Sequence, residues 1–128
     1  MEVTYIMDYK KNLSAIQHEK LKVILSDLPS FCCDYFDYCD GTLNRSTATM
    51  LEYAYDIRSY FKFIAAGNPL INSYHDVTLD ILDKMTPRDI QEYMSYLRSH
   101  KDESGRIVTN DANARARKLS SLRSFYQY

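Results

Sequence analysis

Residues 46–66 read STATMLEYAYDIRSYFKFIAA, and this stretch decides the fold. Its apolar side chains recur every three or four positions, which places them along one face of an α-helix at about 100° per residue. The pattern predicts the longest helix of the chain, capped by Ser46 or Thr47 and stopped by Gly67-Asn68-Pro69. The apolar face comprises Met50, Tyr53, Ile57, Tyr60, Phe61 and Ile64, and the opposite face comprises Glu52, Tyr55, Ser59 and Lys62.

Upstream of this segment the sequence predicts two further helices. Residues 11–28 carry an apolar stripe at helical spacing, formed by Leu13, Ile16, Leu21, Ile24, Leu25 and Leu28. Pro29 suits the first turn of the next helix, over residues 29–40, and Gly41 is expected to end it in the left-handed conformation. The first ten residues show no clear period and are expected to form a loose or edge segment.

Downstream, a short helix is expected near residues 79–82. Thr86-Pro87-Arg88-Asp89 is a compact start signal for a longer helix that ends near residue 100, since Thr86 can cap it and Pro87 fits its first position. Residues 101–111 are expected to form an exposed loop, and a last helix runs from about residue 111 to the C-terminus. The predicted fold is all-α, a compact bundle of four to five helices.

Composition agrees with this fold. Three glycines and three prolines in 128 residues are too few for the turns of a β-sandwich or barrel, and 45% apolar residues can build a core. No apolar run approaches the ~18–20 residues of a membrane span, and the N-terminus lacks the basic-then-apolar pattern of a signal peptide. We therefore expect a cytoplasmic protein.

The residues that could carry chemistry do not form a catalytic or metal-binding pattern. Cys32, Cys33 and Cys39 are an odd set without Cys-x-x-Cys spacing, so reduced cysteines that partly fill a core are expected. A redox role for these cysteines remains a rival hypothesis. No histidine has a local nucleophile partner, and three scattered glycines cannot form a phosphate loop. The sequence predicts no catalytic residue, no metal and no cofactor.

Charge is distributed unevenly along the chain. The net charge is −1, but residues 112–128 carry four basic residues and no acid, whereas residues 27–57 carry six acids and only Arg45. A basic segment of this kind indicates an anionic partner more directly than the overall charge does.

The last helix concentrates this charge on one face. Leu119, Leu122, Phe125 and Tyr126 share the face expected to be core. The opposite face is expected to hold Asn113, Arg117, Ser120, Ser121 and Ser124, with Lys118 at its edge. Positive groups beside small hydroxyls suit contacts with a phosphate backbone, and an asparagine near a helix start can reach an adenine edge. Taken alone, such a face is also consistent with a solvated surface.

Three segments together resemble the tyrosine recombinases, the phage-integrase family. They are TMLEYAYDIRSYFKFI at residues 49–64, MTPRDIQEYMSYL at residues 85–97, and RKLSSLRSFY at residues 117–126. Each is partly an amphipathic pattern, but their order, their spacing and the polar residues of the third make the combination specific. The resemblance covers roughly residues 30–128.

The resemblance implies an N-terminal core-binding, SAM-like domain that clamps double-stranded DNA at a recombination half-site. It implies a domain at residues 29–128 and an N-terminal extension with one helix at residues 1–28. The catalytic domain of the family has no counterpart in this chain, so the chain alone is not expected to be an enzyme. Homo-oligomers are expected to form on DNA through the full-length protein.

The resemblance also implies where DNA lies. The implied contacts lie at the start of the long helix and on the outward face of the last helix: Arg45, Ser46, Thr47, Thr49, Asn113, Arg117, Lys118, Ser120, Ser121 and Ser124. Lys62, on the polar face of the long helix, is a further predicted DNA contact. Asp34, Asp37, Asp40 and Glu52 make the module acidic for a stand-alone DNA binder, so weak binding is expected. A helical protein–protein interaction module is the alternative.

Overall fold

The computed structural model describes residues 2–128, and the side chains of residues 12–128. Within this range the protein is all-α, as predicted. Its helices are α1 (Glu2–Ser26), α2 (Phe31–Gly41), α3 (Thr47–Gly67), α4 (Leu79–Asp83), α5 (Pro87–Arg98) and α6 (Ala112–Gln127). A 3₁₀ turn spans Tyr74–Asp76, and two three-residue strands, β1 (Ser99–Lys101) and β2 (Ile107–Thr109), pair antiparallel.

The chain forms two compact units, residues 1–58 and residues 59–128, so that the boundary falls inside α3. The predicted helical period of α3 is confirmed in both units. Met50, Ile57, Tyr60, Phe61 and Ile64 are buried, as expected, and Tyr53 is half-buried. The four residues assigned to the opposite face are exposed.

α1 differs from the prediction at both ends. It begins at Glu2, so the expected loose segment is wrong, and it ends at Ser26 rather than at the predicted residue 28. No glycine or proline precedes Pro29, and nothing in the local sequence therefore interrupts the helix. The predicted apolar stripe is buried only in its second half, where Leu21, Ile24 and Leu28 lie in the core, whereas Leu13 is 44% exposed and Ile16 53% exposed.

α2 ends at Gly41 as predicted, but not by the predicted mechanism. Gly41 does not have a positive φ; the left-handed residue of this turn is Asn44, with φ 54°. The chain leaves the helix through bonds from the Thr42 and Leu43 amides to the Tyr38 carbonyl. Asparagine tolerates this conformation better than most residues, and it reverses the chain before α3.

α5 starts with the capping box that the sequence predicts. The Thr86 hydroxyl accepts the Asp89 amide at 3.2 Å, and the Asp89 carboxylate accepts the Thr86 amide at 2.8 Å. The Thr86 hydroxyl also donates to the Asp89 carboxylate at 2.9 Å, and the two bonds that this carboxylate accepts from Thr86 lower the pKa of Asp89. Pro87 occupies the first turn, where its missing N–H costs nothing.

Replacing the cap residue should destabilise the protein measurably. We expect Thr86→Ala to lower the free energy of unfolding by about 1 kcal/mol, because the Asp89 amide loses its acceptor. Urea denaturation followed by circular dichroism measures this change. Thr86→Ser is the control, since a serine hydroxyl can still accept the Asp89 amide and donate to the Asp89 carboxylate. Equal stability of the alanine and serine variants would show that the side-chain cap contributes nothing.

The predicted loop at residues 101–111 contains secondary structure that the prediction missed. Lys101 pairs with Ile107, and Ser99 with Thr109, in the β1–β2 hairpin. Ile107, Val108 and Thr109 are β-branched, which favours a strand over a loop. The turn is closed by the Asp102 carboxylate, which accepts the amides of Ser104 at 2.9 Å and Arg106 at 3.0 Å, while Gly105 takes φ 83°.

The core of the second unit is built around aromatic rings. Tyr60 is fully buried, and its ring lies 5.1 Å from that of Tyr93. Its hydroxyl is 2.7 Å from that of Tyr126, which also donates to the Leu82 carbonyl at 3.2 Å. Burial raises the pKa of Tyr60 well above its usual value, so this phenol stays neutral. The chain of bonds satisfies a polar group that would otherwise be costly to bury.

None of the helices described in the structure has the length and apolar composition required to cross a membrane.

Candidate nucleic-acid interface

The start of α6 is held in place by three polar contacts. Asp111 caps the helix by accepting the Ala114 amide at 2.8 Å. The Asn110 side chain donates to the Leu97 carbonyl at 2.8 Å, and the Arg115 guanidinium donates to the Asn110 carbonyl at 2.7 Å. These bonds tie α6 to the end of α5. The Arg115 side chain therefore has a structural role and is not a candidate for ligand binding.

The inward face of α6 packs as the sequence predicts. Leu122 and Phe125 are buried, Leu119 is half-buried, and the Phe125 ring lies 6.0 Å from that of Phe61 on α3. Tyr126 is 41% exposed although its hydroxyl is bonded on the inside. This packing directs the remaining side chains of α6 outward.

The outward face of α6 carries most of the predicted residues. Asn113, Arg117 and Ser120 are exposed, and Lys118 and Ser124 are half-buried. Arg123 is also exposed and was not among the predicted contacts. The spacing of 113, 116, 120 and 123 is itself helical, so the sequence contained the signal that places Arg123 on this face.

One predicted contact on this face is wrong. Ser121 is fully buried, and its hydroxyl donates to the Arg117 carbonyl at 3.2 Å. It precedes Phe125 by four residues and is therefore on the same side of the helix as that core residue. A buried serine cannot contact DNA, and the small side chain instead allows close packing.

The predicted residues at the start of α3 belong to the first unit. Arg45 and Ser46 are exposed, and Thr47 and Thr49 are half-buried. The Ser46 hydroxyl accepts the Thr49 amide at 3.1 Å and donates to the Thr49 hydroxyl at 2.9 Å, so Ser46, one of the two predicted candidates, is the cap. The first turn of α3 contains no acid, so the positive end of the helix dipole is not neutralised there.

Lys62 lies in the second unit. Its side chain is exposed, and its Nζ is 5.4 Å from the centre of the Tyr74 ring. The structure therefore divides the predicted contacts between the two units, with those at the start of α3 in one and Lys62 and α6 in the other.

Formal charge follows the same division. Residues 1–58 carry six basic and nine acidic residues, a balance of −3, whereas residues 59–128 carry ten and eight, a balance of +2. Attraction for a polyanion is therefore concentrated in the unit that contains α6.

Two of the three cysteines are core residues. Cys32 and Cys39 are buried and Cys33 is exposed, and none forms a disulfide. Burial, together with the neighbouring Cys33, raises the pKa of Cys32 to about 12, which suppresses the nucleophilic thiolate. Among the residues that the structure describes, no group of histidine, cysteine or carboxylate side chains is arranged to hold a metal ion.

Comparison with known proteins identifies the family. Residues 33–128 match the model of the phage integrase N-terminal SAM-like domain. The chain is 28% identical to tyrosine recombinase XerC of Caldanaerobacter subterraneus over 127 residues, which covers 93% of this chain and 32% of that protein. It is 29% identical to tyrosine recombinase XerS of Lactococcus lactis subsp. lactis over 113 residues, or 86% of this chain and 31% of that protein.

The chain thus spans about a third of the length of the curated relatives that it matches. No solved structure matches it. Because the family model covers both the acidic first unit from α2 onward and the whole second unit, the chain belongs to the phage integrase N-terminal SAM-like domain family.

Proposed function

We propose that this chain is the DNA-binding N-terminal module of a tyrosine-type site-specific recombinase. In this role it clamps one recombination half-site while strand cleavage and rejoining are carried out elsewhere in the full-length protein. The relatives named above are tyrosine recombinases, and the matched part is about a third of their length. The proposed partner is double-stranded DNA in the cytoplasm, with further copies of the full-length protein assembling on the same DNA.

The observation that carries the proposal is the outward face of α6. Arg117, Ser120 and Arg123 are exposed on a helix that has no acid after its cap, Asp111. Guanidinium groups donate bidentately to phosphate oxygens, and a serine between them donates a hydrogen bond without holding the backbone away. Asn113, at the start of the helix, is the residue suited to a base edge.

The start of α3 supports a second set of phosphate contacts. Arg45 is exposed there, beside the first turn of a 21-residue helix that carries no acid in that turn. Backbone amides at such a terminus favour anions. Asp34, Asp37 and Asp40 are exposed on α2 of the same unit, so this set is expected to bind weakly on its own.

Loss of the outward arginines should weaken binding and reduce its dependence on salt. We expect Arg117→Ala and Arg123→Ala each to lower the slope of log affinity against log salt by about one unit, because each removes one phosphate contact. Fluorescence anisotropy of a labelled random-sequence duplex at several salt concentrations measures this slope. A random sequence suffices because phosphate contacts are independent of base sequence.

Arg88→Ala is the matched control, since Arg88 is an exposed arginine at the start of α5 and its loss changes the net charge equally. Its salt slope should equal that of the unmodified chain. If Arg88→Ala reduces the slope as much as Arg117→Ala and Arg123→Ala do, the α6 face is not a DNA contact.

A helical protein–protein interaction module is the alternative function. The observation that favours it is the apolar surface of α1, where Leu13 is 44% exposed and Ile16 53% exposed. Salt separates the two functions, because phosphate binding falls steeply with salt whereas docking of apolar surfaces does not.

A further inference from the structure

The second unit contains a groove that the proposed DNA contacts do not use. It lies between the end of α3, α4 and α5 and has a volume of about 710 Å³. Its apolar lining includes Phe63, Ile64, Ile81 and Met85. Leu70, at its edge, is 90% exposed, and Tyr96 is 37% exposed. The groove is thus open to solvent and large enough to accept side chains of another molecule.

The charged residues that line this groove are mostly acidic. Among the described residues that line it, Asp80, Asp89 and Glu92 are acidic and Lys84 is basic. Just outside the lining, the exposed Arg88 guanidinium lies 3.7 Å from the Glu92 carboxylate. Lys84 Nζ lies 2.9 Å from Asp80 Oδ2, and both side chains are about three-quarters exposed. Exposed ion pairs contribute little net stability, so an incoming cation can take the place of Lys84.

The backbone adds to this negative potential. α3 ends at Gly67 beside the groove, and its last turn contains no basic residue. The negative end of the helix dipole is therefore not neutralised by its own helix, which favours a cation nearby. DNA phosphates are repelled by the same potential.

The aromatic rings of the groove suit a long basic side chain. The Phe63 and Tyr96 rings lie 5.0 Å apart at an angle of 48°. Aromatic faces attract ammonium and guanidinium groups, and the alkyl stems of lysine and arginine pack against apolar surface. We propose that this groove docks a partner protein through a basic amphipathic segment, whose apolar side chains fill the groove and whose lysines or arginines meet Asp80 and Glu92.

The probe for this proposal is a synthetic leucine–lysine amphipathic peptide of about 15 residues, long enough to form a helix. Titration into the ¹⁵N-labelled chain should shift backbone amides in residues 63–70 and 80–96. Leucine–glutamate and leucine–serine peptides of the same length should cause no comparable shifts. Binding of either one as tightly as the lysine peptide would overturn the proposal, since charge would then not select the partner.

Two variants locate the binding. Glu92→Gln should weaken the leucine–lysine peptide about threefold, the scale expected for one exposed charge pair. Leu70→Ala should weaken it too, and the exposure of Leu70 makes this change harmless to folding. Asp89 is left intact because its carboxylate belongs to the capping box of α5.

Glu103→Gln is the matched control, because Glu103 is an exposed acid on the hairpin turn, outside the groove. It should leave the peptide affinity unchanged. If Glu103→Gln weakens peptide binding as much as Glu92→Gln does, the peptide does not bind at a defined site in the groove. Because no duplex is present in these titrations, their failure would leave the proposed DNA binding unaffected.

Discussion

Ser121→Glu is expected to unfold a large fraction of the protein or to lower its free energy of unfolding by at least about 3 kcal/mol. Ser121 is fully buried on α6, so a glutamate there would place an uncompensated charge in the core of the second unit. A domain of this kind is stable by about 5–15 kcal/mol, so the loss is a substantial part of the total. Urea denaturation followed by circular dichroism measures it.

The neighbouring serine provides the control for this prediction. Ser120 is exposed, and Ser120→Glu should change the free energy of unfolding by less than about 0.5 kcal/mol. The same variant should weaken duplex binding, because it adds a negative charge between Arg117 and Arg123 on the proposed contact face. Equal stability of the two glutamate variants would show that α6 is rotated from the orientation described above.

Leu122→Ala is expected to lower the free energy of unfolding by about 2–5 kcal/mol, through lost burial and the cavity left behind. Leu122 is 2% exposed and belongs to the core that α6 contributes. The midpoint of urea unfolding should fall with little change in the slope of the transition, since the amount of surface exposed on unfolding stays similar.

Leu79→Ala is the control, since it removes the same atoms from a leucine that is 57% exposed. It should lower the free energy of unfolding much less than Leu122→Ala does. If Leu122→Ala lowers the free energy of unfolding no more than Leu79→Ala does, the packing of α6 into the core of the second unit is contradicted. A normal salt slope for DNA binding by folded Leu122→Ala protein would be consistent with the inward position of this residue.

Local rules predicted the helices well where the signal is contained within a few residues. The capping box at Thr86 and Asp89 requires only a threonine and a carboxylate three positions apart, and the structure confirms it. The hairpin at β1 and β2 was missed because each strand has only three residues, too few for a period to appear. For the candidate interface, the sequence predicted which face of α6 is exposed, but not which residues lie at the boundary between the exposed and buried faces.

The sequence by itself determined the all-α class and which residues share a helix face, because a period of 3.6 residues follows from backbone geometry alone. It did not determine where the buried sector of α6 ends. Ser121 lies between Arg117 and Phe125 on the helix surface, and its burial depends on the neighbours packed against that helix. Likewise, the hydroxyl of Tyr126 meets Tyr60 and Leu82, which are 66 and 44 residues away in the chain. Contacts over such separations form only when the tertiary structure brings distant segments together, and they decide which polar residues of α6 remain exposed to bind a partner.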